Sequence, residues 1–139
     1  LLDIGVLPDI MAGNIIGVIA QRLVRKLCPH CRKSFSAGAE ELRLLGAEPS
    51  ARAPVLYRAA GCPQCDYQGF RGRIAIMETL RMDSDIDDLV VRRATHREIR
   101  LAAAAKGFRT LADDGLRRVV EGVTSLDEVA RVIDLTERM

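Results

Sequence analysis

Two short cysteine pairs constrain this chain more than anything else in it: Cys28-Pro29-His30-Cys31 and Cys62-Pro63-Gln64-Cys65. Together they hold all 4 of its cysteines. A Cys-x-x-Cys turn puts two sulfurs on one side of a tight loop, where both reach one ion at about 2.3 Å. Proline after the first cysteine pre-sets φ and stiffens the turn. Two such turns are the usual way to build a tetrahedral four-thiolate site, so one ion is expected to clamp two distant segments together. Four thiolates fill the coordination sphere and leave no open position, which makes the expected role structural. Zinc is the expected ion; iron in a rubredoxin-like site takes the same ligands and stays open. Paired disulfides suit secreted chains, and neither a signal peptide nor a disulfide-dense composition is present. A redox Cys-x-x-Cys normally stands alone near a βαβ pattern, not in duplicate.

The 139 residues suffice for one ordinary domain or two small ones. An apolar share of 48% and a charged share of 29% are typical of a soluble globular protein. No apolar run approaches the roughly 20 residues a membrane span needs; the longest, 15–20, reads as a buried strand or helix segment. Formal charge is +2, and four thiolates with one Zn²⁺ bring it to about zero. A strong electrostatic case for nucleic acid therefore does not arise. Five aromatics (Phe35, Tyr57, Tyr67, Phe70 and Phe108) are few for a base-stacking platform. The start, Leu1-Leu2-Asp3, is neither an initiator methionine nor a leader, and reads as part of a longer protein.

Residues 1–27 form a first stretch. Leu1-Leu2-Asp3-Ile4-Gly5 reads as a helix ending at glycine. Residues 9–20 carry Ile10, Met11, Ile15, Ile16, Val18 and Ile19, dense enough for a buried helix. Residues 21–27 alternate as a strand would. Residues 28–70 form the metal unit, with a short helix over 39–45 stopped by Gly46, a loop over 49–54, and a strand over 55–58 feeding the second knuckle. So small a core needs the ion to hold together. Residues 71–82 return as a strand, centred on the partly β-branched run 74–80, expected beside 21–27.

Residues 83–139 read as four helices. Their starts are capping-box-like: Ser84-x-x-Asp87, Thr95-x-x-Glu98, Thr110-x-x-Asp113 and Ser125-x-x-Glu128. Gly107 and Gly122 stand where helix ends fall. Gly115 lies inside the third helix, where it costs about 1 kcal/mol relative to alanine; a close helix approach would explain it. The chain as a whole reads as α+β, mainly α.

Catalytic motifs are missing. No Gly-x-x-x-x-Gly-Lys-[Ser/Thr], Gly-x-Ser-x-Gly, His-Glu-x-x-His or Gly-x-Gly-x-x-Gly occurs. His30 reads as a solvent-facing turn residue, because four cysteines already satisfy an ion, and His96 as surface at a helix start. Adjacent carboxylates at Glu40/Glu41, Asp87/Asp88 and Asp113/Asp114 point in different directions on a helix and serve helix-start electrostatics. Arg22, Arg25, Lys26, Arg32 and Lys33 cluster at the first knuckle, and Arg71 and Arg73 follow the second. They either offset the thiolate charge in solvent or contact phosphate or an acidic partner.

The strings Gly17-Val18-Ile19-Ala20-Gln21-Arg22-Leu23-Val24-Arg25-Lys26-Leu27-Cys28, Tyr57-Arg58-Ala59-Ala60-Gly61-Cys62, Gly69-Phe70-Arg71-Gly72-Arg73-Ile74, Arg109-Thr110-Leu111-Ala112-Asp113-Asp114-Gly115-Leu116 and Gly122-Val123-Thr124-Ser125-Leu126-Asp127-Glu128-Val129 resemble the secretion ATPase family. That family contains the hexameric motors of type II secretion and type IV pilus assembly, and the tetracysteine insert points to its secretion and pilus-extension branch. The resemblance implies the C-terminal part of such a motor: the end of a RecA-like ATPase domain at 1–27, a tetracysteine zinc-binding subdomain at 28–70, a returning strand at 71–82 and a C-terminal helical domain at 83–139. It implies a parent that hydrolyses ATP with Mg²⁺ as a homohexamer on the cytoplasmic face of the inner membrane, working on platform proteins. This chain lacks the phosphate loop and should not hydrolyse ATP alone. Cys28, Cys31, Cys62 and Cys65 carry over as metal ligands. Gln21, Arg22, Arg71 and Arg73 carry over as contacts to nucleotide or a neighbouring subunit. The competing expectation is a stand-alone zinc-ribbon module that binds nucleic acid or protein.

Overall fold

A computed structural model of the chain describes residues 4–47 and 53–135. Among these the order is α1 (Pro8–Met11), β1 (Gly17–Leu27), β2 (Lys33–Ser36), α2 (Ala39–Leu45), β3 (Val55–Arg58), a 3-10 turn (Pro63–Cys65), β4 (Phe70–Arg81), α3 (Ser84–Val91), α4 (His96–Ala105), α5 (Leu111–Val120) and α6 (Leu126–Val132). The fold is α+β. β1 pairs with β4, and β2 with β3. Met82 N–H donates to Ile16 O near one end of the first pair, and Cys28 N–H to Gly69 O near the other, so β1 and β4 run antiparallel. β2 and β3 are antiparallel, with Lys33 opposite Arg58 and Ser36 opposite Val55. No helix among the described residues is long and apolar enough to cross a membrane.

The chain clusters into two compact units, one of 1–20 with 78–110 and one of 21–77 with 111–139. In the first, Ile86, Leu89 and Ala103 form a small core with Leu80, Met82, Val90, Ile99, Ala102 and Phe108 against it. Asp83 caps α3 by accepting from Ile86 N–H at 3.1 Å. The cap thus falls one residue before the expected Ser84. An aspartate accepts as well as a serine, and this one also takes the Lys106 ammonium at 2.8 Å. α4 starts as expected: Thr95 Oγ1 accepts from Glu98 N–H, and the Glu98 carboxylate accepts from Thr95 N–H at 2.7 Å.

The helix expected over 9–20 is a correction. Only Pro8–Met11 is helical, because Ala12 turns extended (φ −61°, ψ 130°) and Gly13 turns left-handed (φ +75°). The β-branched run that follows favours strand, and Ile16, Val18 and Ile19 are exposed rather than buried. Dense apolar residues satisfy a helix and a strand template alike over so short a window. Leu1–Asp3 and positions 48–52, which the expected first helix and loop include, lie outside the described residues.

In the second unit, Ala37, Leu42, Leu44 and Leu56 share one core with Leu116, Val119, Val129 and Leu135. The segment between the two cysteine turns is therefore packed against α5 and α6. The four helices expected over 83–139 are present among the described residues and fall into both units, because α3 and α4 pack on each other while α5 and α6 pack with the segment between the cysteine turns. Gly115 marks that packing: a Cβ there would stand 2.9 Å from Val129 Cγ1 and 3.5 Å from Ile76 Cδ1. Asp114 accepts from Met77 N–H at 3.0 Å and pairs with Arg117, tying α5 to β4.

Candidate metal centre

Each knuckle is a short turn closed by backbone bonds. Cys31 and Arg32 N–H both donate to Cys28 O, at 3.3 and 3.0 Å. In the second turn Cys65 N–H donates to Cys62 O at 3.1 Å and Tyr67 N–H to the same oxygen at 2.9 Å. Asp66 and Tyr67 then take left-handed φ of 49° and 60°. Gly69 completes the reversal at φ +75°, where a Cβ would stand 2.7 Å from Ala59 Cβ. Only glycine fits there. Its N–H donates to Cys65 Sγ at 3.2 Å and its carbonyl accepts from Cys28 N–H at 2.9 Å, so one residue links the two knuckles.

The four sulfurs all lie within 4.8 Å of one another. Cys28–Cys62, Cys31–Cys65 and Cys62–Cys65 Sγ separations are 3.9, 3.8 and 3.8 Å. Metal–sulfur bonds of about 2.3 Å in a tetrahedron give an edge of about 3.8 Å, so the residues fit a four-thiolate ion. A disulfide needs about 2.05 Å, and all four cysteines are free. Gly61 N–H donates to Cys31 Sγ and Cys62 N–H to Cys65 Sγ, both at 3.3 Å. Burial alone would raise the Cys65 thiol, but the N–H groups of Cys62 and Gly69 outweigh it and bring it down to about 7. Burial pushes Cys62 up to about 12, with its crowded neighbouring thiols adding to the rise.

The arginine cluster divides. Arg32 Nη1 donates to Gly122 O at 2.5 Å, and its guanidinium lies over the Tyr57 ring at 4.3 Å. Arg25 lies over Phe70 at 4.1 Å and pairs with Glu128. Both make contacts within the fold while staying exposed to solvent. Lys26 and Arg71 line one shallow cavity with Arg32. Gln21, Arg22, Arg71 and Arg73 are exposed, and Arg22 Nη1 donates to Gln21 O at 3.0 Å. His30 is exposed in its turn, and His96 is exposed at the first position of α4.

Sequence reasoning missed Glu128. It is 2% exposed and takes Arg25 at 2.6 Å and Arg131 at 2.8 Å. Burial works to raise its carboxyl, but Arg131 and Arg25 overcome that and hold it at about 2. The Ser125 cap was legible, and Ser125 Oγ does accept from Glu128 N–H at 3.3 Å. The reciprocal half of the box is absent from the bonds of Glu128, whose carboxylate goes to the arginines instead.

A family model described as "Type II/IV secretion system protein" matches residues 1–131. Among curated proteins, Type II secretion system protein E of Pseudomonas aeruginosa is 41% identical over 132 residues, covering 95% of this chain and 26% of that protein. Type II secretion system ATPase E of Vibrio cholerae is 40% identical over 136 residues, covering 95% and 26%. Type IV pilus assembly ATPase PilB of Thermus thermophilus is 40% identical over 134 residues, covering 95% and 15%. The chain thus spans about a quarter of the length of the first two relatives and less of the third.

Proposed function

The chain belongs to the type II/IV secretion system protein family, and we propose that it is the zinc-binding and helical C-terminal portion of a motor ATPase that drives type II protein secretion or type IV pilus assembly. The observation that carries the metal part is the four-sulfur cluster, whose edges match a tetrahedral thiolate site. Bound zinc would join the two knuckles and, with no free position, act on folding rather than on a substrate. Cys28, Cys31, Cys62 and Cys65 would hold it, while backbone N–H groups of Gly61, Cys62 and Gly69 fix the sulfur directions.

The motor part is supported by relatives whose names are secretion and pilus ATPases. The longer protein would bind ATP and Mg²⁺, assemble as a homohexamer and act at the cytoplasmic face of the inner membrane on platform proteins. This chain carries no phosphate-loop motif, so turnover belongs to the longer protein. Gln21, Arg22, Arg71 and Arg73, all exposed, are proposed contacts to nucleotide or to a neighbouring subunit.

Elemental analysis of the purified chain tests the metal, with one zinc per chain expected. Joining the chain to the remainder of a full-length relative and measuring ATPase activity tests the motor. Activity in the joined protein that Cys62→Ser abolishes supports the reading. Iron in place of zinc, or salt-sensitive binding of DNA or RNA by the chain, would favour a rubredoxin-like centre or a nucleic-acid module instead.

A further inference from the structure

We infer that residues 122–129 are a strap that holds the first cysteine knuckle in its metal-binding shape, with Thr124, Glu128 and Arg32 as positioning residues. This rests on the metal reading above and goes beyond it in assigning roles to residues that touch no sulfur. The contacts bracket the knuckle on both sides. Before it, Thr124 Oγ1 donates to Arg25 O at 2.8 Å and Arg25 N–H donates to Glu128 Oε1 at 3.0 Å. Leu27 N–H, next to the first ligand, donates to Val123 O at 2.8 Å. After it, Arg32, next to the second ligand, donates to Gly122 O while stacked on Tyr57.

These bonds are sheltered. Thr124, Ser125 and Glu128 are 0%, 3% and 2% exposed. A buried polar group without its partner is costly, so the strap has one favourable seat. Cys28 consequently sits between two grips: Gly69 O of the second knuckle on its own N–H, and the strap one residue upstream on Leu27 N–H. Once the ion fixes the two knuckles together, the edge that the strap needs is preformed. Once the strap is seated, the sulfurs of Cys28 and Cys31 are already aimed. Such coupling is reciprocal: whatever the strap adds to metal affinity, the metal adds to strap docking.

The test is metal release from the whole 139-residue chain to a chromogenic chelator under native conditions. Thr124→Val and Glu128→Gln are expected to release metal about ten-fold faster or more. Leu44→Ala, a truncation in the core shared with Val129 that removes none of the strap's hydrogen bonds, serves as a control for general destabilisation and is expected to release metal more slowly than the strap variants. Hydrogen exchange supplies a second readout: removing metal should speed exchange at Val123, Thr124 and Val129 and leave α4 amides unchanged. Release by the strap variants no faster than by Leu44→Ala, or strap amides indifferent to metal, overturns the inference alone. A chain that takes up no metal overturns it together with the metal reading.

Discussion

Arg25 and Glu128, 103 positions apart, meet at three atoms: Arg25 Nη2 and Nε donate to Glu128 Oε2 at 2.6 and 3.0 Å, and Arg25 backbone N–H donates to Oε1 at 3.0 Å. One carboxylate therefore fastens both the backbone and the side chain of β1 to α6. Removing one partner of a buried pair costs more than the pair contributes, because the other group keeps its desolvation. Arg25 is about half exposed while the Glu128 side chain is 1% exposed, so the carboxylate is the vulnerable member.

This pair sets a pH dependence. The carboxyl of Glu128 is depressed from 4.5 to about 2, so the folded state binds its proton less readily than the unfolded chain. Its contribution is complete above about pH 4.5 and is lost as pH falls toward 2. The size is about 3 kcal/mol. Urea unfolding at pH 7 and at steps down to pH 2.5, for the parent and Glu128→Gln, should show a stability difference that shrinks across that window. A difference constant with pH would refute the assignment.

Cys62→Ser should lose stoichiometric metal and loosen more than its own turn. Because α5 and α6 share a core with the segment between the knuckles, exchange should rise there as well as at β2 and β3. α3 and α4, which have a core of their own, should keep their protection. Retained protection at α5 and α6 in the metal-free variant would show that the shared core stands without the ion.

Gly115→Ala should destabilise by about 1–3 kcal/mol despite the better helix propensity of alanine. The added methyl would fall 2.9 Å from Val129 Cγ1, and that side chain is fully buried. Combining it with Val129→Ala should recover part of the loss, which a double-mutant cycle in denaturant would read. A stabilised single variant would count against close packing of α5 on α6.

Thr95→Ala should weaken the start of α4 by about 1 kcal/mol. It removes the hydroxyl that accepts from Glu98 N–H. Glu98, lowered by its Thr95 backbone and side-chain bonds, should titrate closer to an ordinary glutamate in the variant. An unchanged Glu98 titration by NMR would show that the hydroxyl contributes nothing there.

Local elements were legible where one residue decides the outcome. α2 ends at Gly46 because the C-cap is left-handed at φ +67°, and α4 begins at Thr95 because its hydroxyl and Glu98 satisfy each other. The run 9–20 was not legible, since its apolar density fits two periods and the break falls on Ala12 and Gly13. Glu128 looked like half of a capping box; its arginine partners are invisible locally, because one of them arrives from a strand 103 positions away.

The sequence alone marked the four cysteines that come together, since two Cys-x-x-Cys turns constrain sulfur directions through bonds only three residues long. It also determined most helix boundaries, which depend on caps and glycines within one turn. Tertiary structure decided what those parts hold on to. Which helices pack with the segment between the cysteine turns, which arginines make contacts within the fold, and why a methyl at position 115 would crowd Val129 all depend on atoms from distant segments meeting in a confined space.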